Sequence, residues 1–205
     1  TTTNSTTVGE SVFATALQVE AGSQSTSYIA TDASEASRSA DVYTTATKQR
    51  SADVCYIDGT AFSDFYNQEE GTVFVKVKGV GLSGIQGVYD LGASNTNSVD
   101  LRLQSDGRYR TIVNSGGGTS FNTASVTKNL NTTKLVTAYK QDDFVFSADS
   151  TDFATDTSGN IPSAGTKLNI GTIDNNSLYY ACIVLAKLIY FPRRLSNTEI
   201  QKLTQ

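Results

Sequence analysis

Between Ser98 and Val113 the chain reads SVDLRLQSDGRYRTIV. Val99, Leu101 and Leu103 alternate with Asp100, Arg102 and Gln104, Asp106-Gly107 turns the backbone, and a second strand-like run returns. Alternation with period two is the mark of a strand with one buried face, and Asp-Gly suits a tight hairpin because glycine accepts positive φ. The same grammar recurs along the chain. TVFVKVK sets Val73, Val75 and Val77 against Phe74, Lys76 and Lys78, which suits a half-exposed strand. TKLVTAYK and FVFSAD read as another pair around Gln141 to Asp143, and TKLNIGTI and the long run from Leu178 complete the set. Strands at intervals of about ten residues, separated by Gly, Asn and Asp turns, predict two facing sheets with apolar inner faces. The fold expected is an all-β sandwich.

Only the tail reads as helix. Ser196 and Glu199 have the spacing of a capping box, in which the hydroxyl accepts from a free backbone N–H and the carboxylate reaches back. Ile200 and Leu203 would then pack inward from a helix of about two turns. The apolar run LYYACIVLAKLIYF, Leu178 to Phe191, is too short to span a bilayer and contains Lys187, so it predicts a strand buried on both faces.

Composition removes several function classes. A net charge of −4, with basic residues scattered, offers no stripe to neutralise phosphates, so neither nucleic acid nor membrane insertion is expected. The 205 residues include no histidine, which excludes Ser-His-Asp and Cys-His nucleophiles and imidazole-based zinc sites. No methionine is present either, so a processed chain or a piece of something longer is expected. Cys55 and Cys182 are too few for a disulfide framework; two buried thiols, or a single staple between the first and last core strands, are both open.

Motifs that suggest chemistry have plainer readings. GVGLSG, Gly79 to Gly84, matches a dinucleotide fingerprint, but strand-like residues follow where a helix is required. NSGGGTS, Asn114 to Ser120, lacks the ending of a phosphate loop. Asp142, Asp143, Asp149, Asp152 and Asp156 are oxygen donors that calcium would accept, but without EF-hand spacing, and turn chemistry accounts for aspartate there; no cofactor is expected. Asp64, Glu69 and Glu70 are glycosidase candidates by type alone, and adjacent residues of a strand point to opposite faces. No catalytic residue is assigned. Tyrosine rings can cover the apolar face of a sugar while amides take its hydroxyls, which makes Tyr89, Asn95, Asn97, Asn175, Asn176 and Tyr179 candidates for glycan binding.

Near the N-terminus, Phe13, Leu17 and Val19 share one face of a strand with nothing obvious beside it, and Tyr28 and Ile29 anchor a linker-like stretch. RSADV then occurs twice, at Arg38 to Val42 and at Arg50 to Val54, a step of twelve residues. Repeat architectures need several larger units, so one tandem duplication is the simpler reading.

LQVEAGSQSTSYIAT, RSADV, FSDFYNQEEGTVFV and LAKLIYFPRRLSNTEIQKLT, in that order, resemble landmarks of tailed-bacteriophage virion proteins that carry a concanavalin-like (laminin-G-like) jelly-roll sandwich. The resemblance runs from Phe13 to Thr204, and its closing segment is the most specific part. Ala30 stands where proline is usual and Phe65 where tryptophan is usual. The resemblance implies an N-terminal arm or connector over 1–31, with Phe13, Leu17, Val19, Tyr28 and Ile29 as its assembly contacts, and a sandwich over 32–205. It implies a structural protein at the virion surface, of tail-fibre or spike type, that binds host-surface polysaccharide. The alternatives are a capsid decoration or fibre-shaft role in assembly and, remotely, a polysaccharide depolymerase. Partners implied are other virion subunits and copies of the chain, a homo-trimer being favoured. The second RSADV copy keeps the family-like spacing and is expected to be the core strand.

Overall fold

The computed structural model describes residues 42–43, 48–49, 55–81, 84–125, 131–173 and 179–205. The chain divides into two units, Thr1–Ser51 and Ala52–Gln205. In the first, β1 (Val42–Tyr43) pairs antiparallel with β2 (Lys48–Gln49) as a small ladder inside the duplicated stretch. The arm residues Phe13, Leu17, Val19, Tyr28 and Ile29, and the second RSADV copy, lie outside the described residues.

The second unit is a two-sheet antiparallel sandwich with a short C-terminal helix. In chain order come β3 (Cys55–Asp58), α1 (Gly59–Ser63), β4 (Glu70–Gly79), β5 (Gln86–Ser94), β6 (Asn97–Leu103), β7 (Tyr109–Ser115) and β8 (Gly118–Ala124). They are followed by β9 (Thr133–Lys140), β10 (Asp143–Ala148), β11 (Asp152–Asp156), β12 (Lys167–Ile170), β13 (Ile183–Phe191) and α2 (Asn197–Thr204). One sheet runs β11-β10-β9-β4-β13 and the other β3-β12-β5-β6-β7-β8.

Side-chain alternation divides each strand between the core and an outer face. Val73, Val75, Val77, Leu135, Tyr139, Phe144 and Phe146 from the five-stranded sheet meet Tyr89, Leu91, Val99, Leu101, Leu103 and Val113 from the six-stranded one. Each such side chain contributes about 1.5–3 kcal/mol through its removal from water. Phe74, Val136, Ala138 and Val145 point away from that core and are covered by Leu195 and by Ile200 of α2. The helix starts where expected, with Ser196 and Glu199 forming both bonds of the capping box. The outer face of the five-stranded sheet is thus closed by a helix, while that of the six-stranded sheet carries the polar members of its strands.

The hairpins follow their turn residues. Gly116-Gly117 joins β7 to β8 with φ 58 and 84, the pair of positive values a type I′ hairpin turn requires, and Gln141-Asp142 joins β9 to β10 with only Asp142, at φ 58, left-handed. The β6–β7 connection differs in detail from the expected tight turn. It spans Gln104 to Arg108, closed by the Gln104 N–H on the Arg108 carbonyl, and only Gly107, at φ 85, is left-handed. A three-residue loop places its single left-handed residue at the glycine and leaves Asp106 in an ordinary conformation.

Two expectations are corrected. The run from Leu178 is expected to be a strand buried on both faces, but β13 (Ile183–Phe191) is the outermost strand of its sheet, with Val184 55% exposed and Lys187 in solvent. Its apolar run reflects an edge strand with one covered side. Cys55 and Cys182 form no staple and are not buried; both are free and exposed. Cys55 begins the outermost strand of one sheet and Cys182 immediately precedes the outermost strand of the other.

Candidate functional site

The outer face of the six-stranded sheet is shaped by a bulge. In the β5–β6 ladder Gly87 pairs with Arg102 and Tyr89 with Leu101, so Val88 is the extra residue. From there the pairs alternate in and out. Tyr89–Leu101 and Leu91–Val99 face the core; Asp90–Asp100 and Gly92–Ser98 face out. Asn114 continues the outer row on β7 as the partner of Ser98. The result is a cleft of about 200 Å³ floored by Asp90, Ser98 and Asp100, with Arg102, Asn95 and Asn114 at its rim and Ile173 and Tyr179 as one wall.

The floor is electrostatically fixed. Arg102 donates from Nε to Oδ1 of Asp100 at 2.8 Å and from Nη2 to Oδ2 at 2.6 Å, a two-pronged pair with the arginine side chain 19% exposed and the aspartate 2%. Desolvation works against the guanidinium charge, but the Asp100 bond and the nearby Asp100, Tyr179 and Asp90 outweigh it and raise its pKa. Asp90, 4% exposed, lies directly across the ladder from Asp100.

The rim is a lattice of amides. Asn114 Nδ2 donates to the Asn95 carbonyl at 3.1 Å, and Gly117 N–H donates to the Thr96 carbonyl at 3.1 Å. Asn97 Oδ1 accepts from Gly116 N–H, Ser163 N–H and Ser163 Oγ. The β5–β6 and β7–β8 turns are thereby held together, which sets Asn95 and Asn114 at the mouth.

The wall depends on one glycine. A Cβ on Gly87 would lie 2.5 Å from Ile173 Cγ1 and 2.5 Å from the Thr172 carbonyl carbon, so only glycine lets that segment lie against β5. The Gly87 N–H donates to the Tyr179 carbonyl at 2.7 Å. Tyr179 is 40% exposed at φ 70, a left-handed backbone that a bulky residue adopts at a cost of about 1–3 kcal/mol. Tyr180 beside it is also exposed.

Of the sequence candidates, Asn95 and Tyr179 line the cleft. Asn97 braces the rim from behind. Tyr89 is corrected: it is fully buried in the core, one residue out of step with Asp90, and burial pushes its hydroxyl pKa up. Asn175 and Asn176 lie outside the described residues. Asp90, Ser98, Asp100, Arg102, Asn114 and Ile173 were not singled out. The signal for Asp100 and Arg102 was present, because they are the polar alternates of the SVDLRLQ strand.

The other carboxylates serve the framework. Glu70 Oε2 accepts the Arg194 N–H at 3.0 Å and lies 3.7 Å from Lys140 Nζ, while Glu69 is exposed. Asp142 Oδ1 takes the Gly159 N–H, Asp143 pairs with Arg194, Asp149 takes the Lys134 N–H, and Asp156 takes the Ser158 N–H. Asp64 is the exposed C-cap of α1. No group of three or more His, Cys, Asp or Glu side chains that could hold a metal ion occurs among the described residues. The GVGLSG stretch leads into β5, without the helix a pyrophosphate site requires. No helix among the described residues is long and apolar enough to cross a membrane.

No protein-family model and no curated protein matches the sequence. Among solved structures the chain is similar to the CBM40 domain of Ruminococcus gnavus IT-sialidase bound to alpha2,3 sialyllactose, with TM-score 0.59 and 12% identity over 68% of this chain and 84% of that one. It is similar to the NanB sialidase of Streptococcus pneumoniae, with TM-score 0.60 and 15% identity over 76% of this chain and 28% of that one. The leech intramolecular trans-sialidase gives TM-score 0.61 and 12% identity over 75% of this chain and 26% of that one. The chain therefore spans about a quarter of the length of these two sialidases. At such identities the likeness establishes the β-sandwich fold.

Proposed function

We propose that the sandwich is a glycan-binding module and that the cleft on its outer sheet face holds the sugar. The observation that carries this is the cleft's composition: two amides, a hydroxyl and a fixed Asp–Arg pair surround a space of about 200 Å³ beside an exposed tyrosine. Small numbers of placed polar groups beside an aromatic surface suit a pyranose, whose hydroxyls need partners and whose ring face needs cover. Likeness to a CBM40 domain bound to a sialyl oligosaccharide supports the ligand class. The strained Tyr179 supports the position, because strain persists where surrounding structure and use demand it.

The function is binding without cleavage. The cleft carboxylates, Asp90 and Asp100, are almost wholly buried, and both oxygens of Asp100 are engaged by Arg102. A glycosidase needs a proton donor and a second carboxylate that reach the scissile bond. The resemblance of the closing segment to tailed-phage proteins supports a place at the virion surface, in a fibre or spike-type homo-oligomer that attaches to host polysaccharide.

Tyr179→Gly tests the site. Glycine accepts φ 70 without strain, which offsets the lost ring contacts, so the variant is expected to fold while losing the aromatic wall. Binding on a glycan array is expected to fall tenfold or more. Unchanged binding refutes the site, and no binding by the parent chain to any glycan or host cell favours the assembly role.

A further inference from the structure

We infer that the outer face of the five-stranded sheet carries a second contact, a lysine row that takes an anionic polysaccharide; the choice of a glycan polymer rests on the reading of the module as a polysaccharide binder. Lysines scattered along the sequence are gathered there by strand register. Lys187 of β13 stands directly opposite Lys76 of β4, and Lys76 directly opposite Lys134 of β9, so three lysines cross three neighbouring strands in one line. Lys78 shares the face two residues along β4, opposite Val184. With strands about 4.8 Å apart and alternate residues about 7 Å apart, the four stems root in a patch roughly 10 Å across.

A bulge makes the alignment. Leu185 pairs with Val77 and Lys187 with Lys76, which leaves Ala186 as the extra residue. An unbroken ladder would set Ala186 against Lys76 and turn Lys187 inward beside the fully buried Val75. The face is also open at this place: Leu195 and Ile200 cover Phe74, Val136, Ala138 and Val145, and the row begins beyond the Phe74–Ile189 pair. Lys76, Lys78 and Lys187 are exposed, and no hydrogen bond or ion pair to another described residue engages them. Lys134 is half-buried, donates to the Gln205 carbonyl and has Asp149 on its backbone N–H, so it borders the patch.

Like charges directly opposite on neighbouring strands repel, so this face gives up stability that a neutral pair would keep. An anion laid along the line reverses the sign. Lysines are point charges on long stems and suit acidic groups spaced along a flexible chain, whereas the forked donors of arginine suit phosphates. The arginines that follow β13 are engaged, Arg193 with Glu199 and Arg194 with Asp143. Exposed ammonium groups hold a single acid weakly, so the row takes a polymer and leaves short glycans to the cleft.

The full chain is titrated with polygalacturonate, with dextran as uncharged control and duplex DNA and phosphatidylglycerol vesicles as other polyanions, alongside Lys76→Gln/Lys187→Gln and Tyr179→Gly. Expected is polygalacturonate binding that weakens steeply with salt, falls about tenfold in the lysine variant and is unchanged in Tyr179→Gly. The lysine variant loses a repulsive pair and should unfold in urea no earlier than the parent, which separates weaker binding from misfolding. No binding of polygalacturonate by the parent, or equal binding by the lysine variant, overturns the inference, and a neutral glycan still bound through the cleft then leaves the glycan module standing. Tighter, lysine-dependent binding of DNA or vesicles overturns the polysaccharide assignment. Row-dependent polygalacturonate binding together with array binding that Tyr179→Gly leaves unchanged supports the row and removes the cleft alone.

Discussion

Arg102→Met isolates the charge pair on which the cleft is built. Arg102 is 19% exposed and Asp100 2%, so the bond is shielded from water and little screened by salt. Removing one partner of a buried pair costs about 3–5 kcal/mol, chiefly because the other charge stays buried. Partial exposure of the arginine and the further contacts of Asp100 place the expected loss just below that range, about 2–3 kcal/mol. Asp90 across the ladder adds to the cost, since its carboxylate then faces Asp100 without the Arg102 charge between them. With a urea slope of about 2 kcal/mol per molar, the midpoint should fall by roughly 1 M. Tyrosine fluorescence reports the transition, the chain having ten tyrosines and no tryptophan. The double change Asp100→Leu/Arg102→Met removes both charges and should lie within about 1 kcal/mol of the parent, because apolar replacement of a whole pair is often near neutral. A loss below about 0.5 kcal/mol for Arg102→Met, or a double variant as unstable as the sum of the singles, would refute the reasoning.

Gly87→Ala should push Ile173 and Thr172 off β5, costing about 1–3 kcal/mol and weakening glycan binding tenfold or more; unfolding and calorimetric titration measure the two effects. At the C-terminus, Ser196→Ala should cost about 1 kcal/mol in urea unfolding through loss of the capping box. The Glu199 carboxyl, held by Arg193 and then Ser196, should titrate at about 2 instead of 4.5 in a carboxyl-detected NMR series. A depressed folded-state pKa means its contribution is present above about 4.5 and is lost as pH falls through about 2.

Strand pattern carried most of the sandwich. Alternation in SVDLRL and TVFVKV put Val99, Leu101, Val73 and Val75 in the core, and Ser196 with Glu199 marked the helix start, because these signals are local. The site was less legible for a geometric reason. Tyr89 looks like a sugar-stacking residue, but strand parity turns it inward and turns its neighbour Asp90 out. The bulge at Val88, which aligns Asp90 with Asp100, arises from the pairing of two strands and has no local mark in VYDLG. Ile173 and Tyr179 reach the cleft only because Gly87 admits the segment that follows β12, a contact between positions far apart in the chain. The run from Leu178 misled because an edge strand with one covered side and a fully buried strand can share an apolar composition.

The most direct test is amide chemical-shift mapping of the labelled chain during addition of a glycan that the array identifies. The cleft reading predicts perturbations concentrated at Asp90, Asn95, Ser98, Asp100, Arg102, Asn114 and Tyr179, and their loss in Tyr179→Gly. Saturable binding with those amides unmoved, and with the shifts gathered on α2 and the five-stranded sheet, would contradict it.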